Sequence, residues 1–379
     1  MIEAKLFYDL LIQGGVRFFT GVPDSILKSF CAYITDHSDT ARHSIAVNEG
    51  AAVALASGFY LATGELPLVY MQNSGIGNAA NPLLSLADAE MFRIPMLLTI
   101  GWRGYPGTHD EPQHIKQGKT TLPLLEAMDI PYTVIAEHED ECRSQLDACL
   151  CSVAEKKSPH ALVIRPGLFA PYAAQKKEPD SGALTREEAI EIVLGSSPLP
   201  QGIYFSTTGM ASRELYEIRE RLGQSHEKDF LTLGSMGHAS QIALGAALQR
   251  PDLSVTVLDG DGALLMHLGA LAAIGCAAPV NFRHIILNNG AHDSVGGQPT
   301  LGLKINIPAI AKACGYGDAK TATNAAELRA ALAEQPPARA GPVLLEVLVR
   351  RGARNDLGRP GTGPEEIKSA LMRHIKGEQ

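Results

Sequence analysis

Two short polar clusters, each directly after an apolar run, carry the clearest chemical signal in this sequence of 379 residues. Asp261 lies in the turn 259–262, and Asn289 follows it after a spacer of 25 residues (263–287) that separates GDG from NN. Carboxylate, amide and main-chain oxygens suit Mg²⁺, which completes its octahedron with water and phosphate oxygens. The glycines let backbone N–H groups approach an anion, and a helix N-terminus favours negative charge. The pattern therefore favours a magnesium-diphosphate site over a plain glycine turn.

The surrounding elements bring these clusters together. The apolar run 255–258 predicts a buried strand, the Ala-rich segment 263–274 a helix, and 284–287 a second strand. Strands joined by such a helix are parallel neighbours with a right-handed crossover. Both polar clusters then lie at the carboxyl ends of their strands, where open α/β sheets bind ligands.

The same alternation of helix and strand patterns runs through the whole chain, which predicts an α/β protein of two doubly wound parallel-sheet domains. We expect a first domain over 1–170, a linker over 171–184 and a second domain over 185–379. The linker is rich in Pro, Lys, Gly and Ala, and it is too short to hold a middle domain. A capping box at 185–188 predicts the first helix of the second domain.

Composition excludes several classes of protein. A net charge of -8 and a pI of about 5.9 give no support for binding nucleic acid or membrane surfaces. No apolar run is long enough to span a membrane, and no signal peptide is evident. The six cysteines are scattered, which is typical of reduced thiols and predicts a cytoplasmic protein.

GDG, a spacer of this length and NN resemble the signature of the thiamine diphosphate enzymes. The resemblance implies the thiamine diphosphate-binding fold, with one domain for the aminopyrimidine and the other for the diphosphate. It implies that thiamine diphosphate and Mg²⁺ are cofactors, with Asp261, Asn289 and the main-chain oxygen of Ala291 as metal ligands. The implied contacts of the diphosphate half are Thr207, Thr208, Gly260, Gly262, Ala263 and Asn289.

The aminopyrimidine needs a carboxylate, and the motif VNEGAA matches the family at Glu49. The alternative is a charge that merely favours a helix N-terminus. In the segment GSMGH, the carbonyl of Gly234 matches an acceptor of the 4′-amino group. Met236 matches the bulky residue that holds the bent cofactor, although a methionine is more often part of a core.

Loops at the carboxyl edge of the first sheet, GVPDS and GTHDEPQH, are expected to hold the substrate end of the site. We predict catalytic roles for Asp24, His109 and His114 beside Glu49. Residues predicted to bind the anionic substrate are Ser25, Arg103, Asp110, Arg354 and Arg359. Alternatives remain for these residues: solvated loop charges, a metal site in the histidine loop, and a basic tail on an acidic protein.

From about residue 7 to 360 the motifs resemble thiamine diphosphate-dependent decarboxylases of anionic 2-oxo acids. The resemblance implies conversion of 3-phosphonopyruvate to phosphonoacetaldehyde and CO₂, in phosphonate biosynthesis. It also implies a homo-oligomer with active sites between subunits. Alternatives are 3-sulfopyruvate as the substrate and a carboligase. Relatives that act on the sulfonate carry the two halves on separate polypeptides, so a fused chain favours the phosphonate.

Two further classes are opposed by the motifs. A dinucleotide-binding oxidoreductase lacks support because no GxGxxG follows the first strand. A catalytically silent binding protein has no need to keep Glu49, Asp261 and Asn289 together.

Overall fold

A computed structural model describes residues 1–175, 182–196, 202–334 and 341–377. The chain divides into two compact units, Met1–Glu178 and Pro179–Gln379, and each contains a six-stranded sheet. All the neighbouring strands described in both sheets are parallel. Within the described ranges, no helix is long and apolar enough to cross a membrane.

The first unit begins with a helix and then alternates strands and helices. Its strands are β1 Val16–Gly21, β2 His43–Ile45, β3 Leu66–Gln72, β4 Leu97–Gly101, β5 Tyr132–Val134 and β6 His160–Ile164. Its helices are α1 Ala4–Gln13, α2 Lys28–His37, α3 Glu49–Thr63, α4 Ile76–Pro82, α5 Pro112–Ala127 and α6 Glu139–Lys156. Residues Leu83–Ala87 continue α4 as a wider π-helical turn.

The second unit has the same alternation. Its strands are β7 Ile203–Ser206, β8 Asp229–Leu231, β9 Val255–Gly260, β10 Phe282–Asn288, β11 Asp318–Ala322 and β12 Val343–Leu348. Its helices are α7 Arg186–Gly195, α8 Met210–Arg221, α9 Ala239–Gln249, α10 Asp261–Met266, α11 Ala270–Ala277, α12 Ile307–Ala313, α13 Ala325–Ala333 and α14 Pro364–Lys376.

The two sheets share one topology. The first has the order β2-β1-β3-β4-β6-β5, and the second, read from its opposite edge, has the order β8-β7-β9-β10-β12-β11. In each unit the chain direction across the sheet reverses between the first and third strands. Ligands bind at such reversals in open α/β sheets, beyond the carboxyl ends of the strands. This fixes where each unit can carry a site.

Burial on both faces explains why these strands are continuous apolar runs. The central strands β4 and β6 are buried at every position, as is expected where helices cover both sides of a parallel sheet. Apolar residues of the first unit form two clusters, one containing Phe7 and Leu162 and the other Val53 and Val163. Alternate residues of β6 therefore supply opposite faces of the sheet.

The predicted α/β architecture of two parallel sheets is confirmed, but three local predictions were wrong. The strands β5 and β11 were not predicted, because β5 is only half-buried and Lys320 and Thr321 interrupt β11. The single helix predicted over 263–274 is two helices, α10 and α11, separated at 267–269. His114, predicted on a loop, lies in the first turn of α5.

The segment predicted as a linker begins as packed chain. The backbone N–H of Tyr172 donates to the Ser29 hydroxyl (3.1 Å), and its phenol donates to Asp36 (3.1 Å). Residues 176–181 of the predicted linker lie outside the described ranges. At its far end Leu184 is buried and forms a parallel bridge with Val349.

Gly275 in α11 provides a test of the packing of this crossover helix. A Cβ at this position would lie 1.9 Å from the carbonyl oxygen of Cys314. We expect Gly275→Ala to lower the free energy of unfolding by about 1–3 kcal/mol, because the clash outweighs the higher helix propensity of alanine.

Gly245 in α9 is the matched control, because a Cβ there meets nothing within 4 Å. Gly245→Ala should be neutral or stabilising by up to about 1 kcal/mol. Urea unfolding of both variants gives the comparison, and equal effects would contradict the close approach of α11 to Cys314.

Candidate active site

Asp261 begins α10 directly after β9, and its side chain is only 2% exposed. The Thr300 hydroxyl and the backbone N–H of Asn289 donate hydrogen bonds to its carboxylate. No lysine, arginine or histidine of the described ranges forms an ion pair with it. Burial raises the pKa of Asp261 to about 6 despite these hydrogen bonds. Because burial disfavours the ionised form of this carboxylate, a bound cation would stabilise it strongly.

Asn289 lies beside Asp261 because β9 and β10 are parallel neighbours, with Leu287 opposite Gly260. Its side-chain oxygen accepts the N–H of Ala291 (3.0 Å), and its NH₂ group donates to Asp293 (2.6 Å). Two of the three predicted metal ligands therefore occupy one edge of the sheet.

The oxygen donors at this edge fit Mg²⁺ and a diphosphate. Among the described residues no group of three His, Cys, Asp or Glu side chains could hold a metal ion. A metal at Asp261 would then need amide, carbonyl, water or phosphate oxygens, which is the coordination typical of Mg²⁺. The same finding leaves no three-ligand site in the histidine loop.

Gly302 shows how tightly this edge is built. A Cβ there would lie 2.4 Å from the carboxylate of Asp261 and 2.8 Å from the side-chain oxygen of Asn288. Only glycine fits between the two side chains. Sequence reasoning missed Thr300 and Gly302, although both lie just beyond the NN motif.

Thr207 and Thr208 follow β7, next to Gly260 at the reversal of the second sheet. The Thr207 side chain is buried, and its hydroxyl has no hydrogen-bond partner in the structure. A buried hydroxyl without a partner suits a ligand oxygen. The Thr208 hydroxyl instead donates to the carbonyl of Leu233 (2.7 Å), which fixes the turn that leads to Gly234.

The segment GSMGH forms a tight turn before α9. Ser235 and Gly237 both adopt positive φ, 51° and 87°. A Cβ at Gly237 would lie 2.6 Å from the His267 ring and 3.0 Å from the carbonyl of Ala263. Met236 is half-buried at the tip of this turn, so it is not part of the closed core.

Glu49 is the first residue of α3, and Asn48 caps that helix by accepting the N–H of Ala51 (2.8 Å). The Glu49 side chain is 4% exposed and accepts a hydrogen bond from Asn78 (2.8 Å). Burial raises the pKa of Glu49, although the bond from Asn78 opposes this. Gly75 approaches so closely that its Cβ would lie 2.5 Å from the Glu49 carboxylate. Sequence reasoning missed the role of Asn78.

Asp24 is fully buried at the carboxyl edge of the first sheet. One carboxylate oxygen accepts the N–H groups of Ile26 (2.8 Å) and Leu27 (3.3 Å), and the other has no partner. Burial raises the pKa of Asp24. Burial therefore favours the protonated form of this carboxyl group.

Arg103 binds both Asp110 and Ser25. The Arg103 guanidinium donates through Nε (2.9 Å) and a second nitrogen to Asp110, and through Nη1 to the Ser25 hydroxyl (2.8 Å). Burial alone would raise the pKa of Asp110. Hydrogen bonds from Arg103, Gly104 and Glu111 hold it well below its ordinary value. These contacts of Arg103 with Asp110 and Ser25 restrain the segment GTHDEPQH, which carries His109 and His114.

His114 and His109 have different environments. His114 is buried with its Nδ1 unpartnered, and burial beside Arg103 lowers its pKa to about 4. It is therefore neutral at physiological pH. His109 is exposed on the loop before α5.

Arg354 and Arg359 lie on the surface of the second unit. Arg354 forms ion pairs with Glu187 (3.0 Å), Asp356 (3.1 Å) and Glu217. These carboxylates neutralise its charge, so the predicted anion-binding role has no support from its surroundings. Arg359 is exposed.

Two family models match the chain. The thiamine pyrophosphate enzyme N-terminal TPP binding domain matches residues 2–123, and the C-terminal TPP binding domain matches residues 207–347. The two sheets are thus those of a thiamine diphosphate enzyme.

Similar proteins indicate which kind of thiamine diphosphate enzyme this chain is. A phosphonopyruvate decarboxylase from Streptomyces viridochromogenes is 37% identical over 93% of this chain and 90% of its own. A sulfopyruvate decarboxylase from Methanosarcina acetivorans is 30% identical over 81% of each chain. A sulfopyruvate decarboxylase subunit beta from Methanothermobacter thermautotrophicus is 34% identical over 51% of this chain and 97% of its own. The chain belongs to the phosphonopyruvate decarboxylase family of thiamine diphosphate enzymes, and it is a carboxy-lyase.

A single polypeptide does not by itself indicate which substrate the enzyme uses. The Methanosarcina relative matches this chain along most of its length, so sulfopyruvate decarboxylases are not confined to separate polypeptides. A fused chain does not separate the phosphonate from the sulfonate substrate.

The variant Asp261→Asn tests whether a cation stabilises the buried carboxylate of Asp261. In the metal-free protein the folded pKa of about 6 exceeds the ordinary value of 3.8, so the ionised carboxylate costs stability as pH rises through this interval. Above pH 6 the cost is about 3 kcal/mol. We expect the metal-free variant to be more stable than wild type at pH 7.5 but not at pH 4, and to gain nothing from Mg²⁺ with thiamine diphosphate. Melting temperatures at both pH values measure this. A variant that is no more stable at pH 7.5, or that the cofactors stabilise like wild type, would contradict the assignment.

Proposed function

We propose that this enzyme catalyses thiamine diphosphate- and Mg²⁺-dependent decarboxylation of 3-phosphonopyruvate to phosphonoacetaldehyde and CO₂, as a step of phosphonate biosynthesis. The observation that carries the proposal is the enclosed Asp261 carboxylate beside Asn289, in a chain 37% identical to a phosphonopyruvate decarboxylase over 93% of its length. The scattered free cysteines support a cytoplasmic enzyme.

The second unit binds the diphosphate in this proposal. Asp261, the side-chain oxygen of Asn289 and the carbonyl of Ala291 hold Mg²⁺. The unpartnered hydroxyl of Thr207 and the N–H groups of the 260–263 turn bind phosphate oxygens. When bound, thiamine diphosphate supplies the electron sink that lets a 2-oxo acid lose CO₂.

In this proposal the first unit supplies the side chains that exchange protons with the aminopyrimidine ring and the substrate. Glu49, with its raised pKa, holds a proton against the aminopyrimidine ring, and Asn78 keeps its carboxylate in place. Asp24 is a candidate to deliver a proton to the substrate carbon after CO₂ leaves, and the neutral His114 is a candidate to relay a proton or to contact the substrate. Asp24 is suited to deliver the proton because burial favours its protonated form.

Gly234 and Met236 shape the space beside the cofactor in this proposal. The carbonyl of Gly234 would accept from the 4′-amino group, and the half-buried Met236 side chain would support the cofactor. Arg103 and Ser25 set the charge and shape of the substrate end, with Asp110 restraining the guanidinium.

We further propose a homo-oligomer in which Glu49 of one chain faces Asp261 of another. The family resemblance supports this arrangement, as does the existence of a relative called a subunit beta that matches half of the chain. Sedimentation of the active enzyme tests it, because a fully active monomer is incompatible with shared sites.

The substrate is tested by measuring CO₂ release from phosphonopyruvate, sulfopyruvate and pyruvate in parallel, with thiamine diphosphate and Mg²⁺ present. We expect kcat/KM to be highest for phosphonopyruvate and at least tenfold lower for pyruvate, which lacks the second anionic group. Preference for sulfopyruvate would support the alternative function, sulfopyruvate decarboxylation, which the 30% identical relative favours. Products larger than the aldehyde would indicate a carboligase, and no CO₂ from any of them would refute the proposal.

Glu49→Gln tests the proton-exchange role. The amide still accepts the hydrogen bond from Asn78, so the fold should survive, but it cannot exchange a proton with the aminopyrimidine. We expect kcat for CO₂ release to fall by about 10²–10⁴-fold, with little change in melting temperature. Exposed Glu65→Gln is the control and should leave kcat unchanged. Near wild-type turnover in Glu49→Gln would remove Glu49 from the mechanism.

A further inference from the structure

The amide of Asn289 is held by a buried ionic network that the proposed reaction does not use. Its NH₂ group donates to Oδ2 of Asp293 (2.6 Å). The same oxygen accepts from the Arg186 guanidinium (3.1 Å) and the backbone N–H of Gly352 (2.9 Å). Three segments that are distant in sequence therefore meet at one carboxylate oxygen.

Arg186 is itself fixed from the other side. Its Nε and Nη2 donate to the two carboxylate oxygens of Glu214, at 2.7 and 3.0 Å, and Nη2 also donates to the carbonyl of Gly352 (3.2 Å). The side chains of Arg186 and Glu214 are 7% and 3% exposed. A bidentate guanidinium–carboxylate pair of this burial has one available geometry.

This network, together with the backbone N–H of Ala291, determines which way the Asn289 amide faces. An ionised carboxylate only accepts hydrogen bonds, so Asp293 selects the NH₂ group of Asn289 and turns the amide oxygen away. That oxygen accepts the N–H of Ala291 and lies at the edge where Asp261 is enclosed. Without the acceptor, rotation of the amide by 180° about its last bond would present NH₂ to a cation.

We infer that Asp293 and Arg186 are positioning residues for the magnesium site, which they serve by locking the amide oxygen of Asn289 toward the metal. Neither residue touches the metal or the substrate. The inference rests on the magnesium-diphosphate site proposed above. Partners that orient a ligand in this way typically contribute 10–100-fold to metal affinity.

The test is the affinity for Mn²⁺, followed by electron paramagnetic resonance of the free ion, in protein saturated with thiamine diphosphate. We expect Asp293→Ala to weaken Mn²⁺ binding by about 10–100-fold. Asp293→Asn should restore most of the affinity, because its amide oxygen still accepts from Asn289.

Asp229→Ala is the matched control. Asp229 forms a similar buried pair with Arg219, at 3.0 and 2.8 Å, on the edge strand β8. Its loss should lower the melting temperature of the cofactor-free protein as much as Asp293→Ala does, without changing the affinity for Mn²⁺. If Asp229→Ala weakens Mn²⁺ binding equally, the effect is general destabilisation and the inference is wrong.

A double-variant cycle shows whether Asp293 acts through Asn289. In an Asn289→Ala background, Asp293→Ala should cause no further loss of Mn²⁺ affinity. An equal loss in both backgrounds would overturn the inference. If Asp293→Ala does not fold, Arg186→Lys replaces it, since lysine cannot bind Glu214 and Asp293 together and should weaken binding in the same direction.

Failure of the magnesium site is distinguishable from failure of this inference. If wild type binds no Mn²⁺ with thiamine diphosphate present, the proposed site itself is wrong. If wild type binds Mn²⁺ tightly and Asp293→Ala binds it equally well, only the positioning role is wrong.

Discussion

Burial of the Asp261 carboxylate costs free energy because it removes the charged group from water. The hydrogen bonds from Thr300 and Asn289 do not offset this cost, and the pKa of Asp261 is therefore raised. Much of the second unit is arranged to maintain this enclosure. The parallel pairing of β9 and β10 brings Asn289 alongside, and Gly302 leaves no room for another side chain between Asp261 and Asn288. In the proposed site, a divalent cation shared with phosphate oxygens would provide the missing positive charge and would couple folding to cofactor binding at this edge.

The two units show one topology used for two kinds of chemistry. Both sheets reverse direction at the equivalent place, and both present polar groups there. In the second unit these groups are oxygen donors and backbone N–H groups. In the first they are buried acids, Glu49 and Asp24, whose pKa values burial raises. Asp261, Glu49 and Asp24 are all enclosed carboxyl groups with raised pKa values, so their neighbouring groups, rather than their type or burial, distinguish the two units.

Local patterns predicted most of the fold and the placement of Asp261 and Asn289 at one edge of the second sheet, because buried parallel strands are apolar runs and turn residues follow them directly. Half-buried β5 and the polar β11 carry no such pattern. The remaining gaps concern partners distant in sequence. Asn78 is 29 residues from Glu49, and Asp293 is 107 residues from Arg186, so no spacing rule connects them. The roles predicted for Ser25, Arg103 and Asp110 as separate substrate contacts overlooked the binding of Arg103 to the other two, which depends on the loop conformation.

Diffraction from crystals grown with thiamine diphosphate and Mn²⁺, recorded at the manganese absorption edge, tests the central claim most directly. We expect one strong anomalous peak per chain, about 2.0–2.3 Å from oxygens of Asp261, Asn289 and the Ala291 carbonyl. Diphosphate oxygens should complete the octahedron around it. A peak elsewhere, or a diphosphate bound at this edge with no metal between it and Asp261, would contradict the claim.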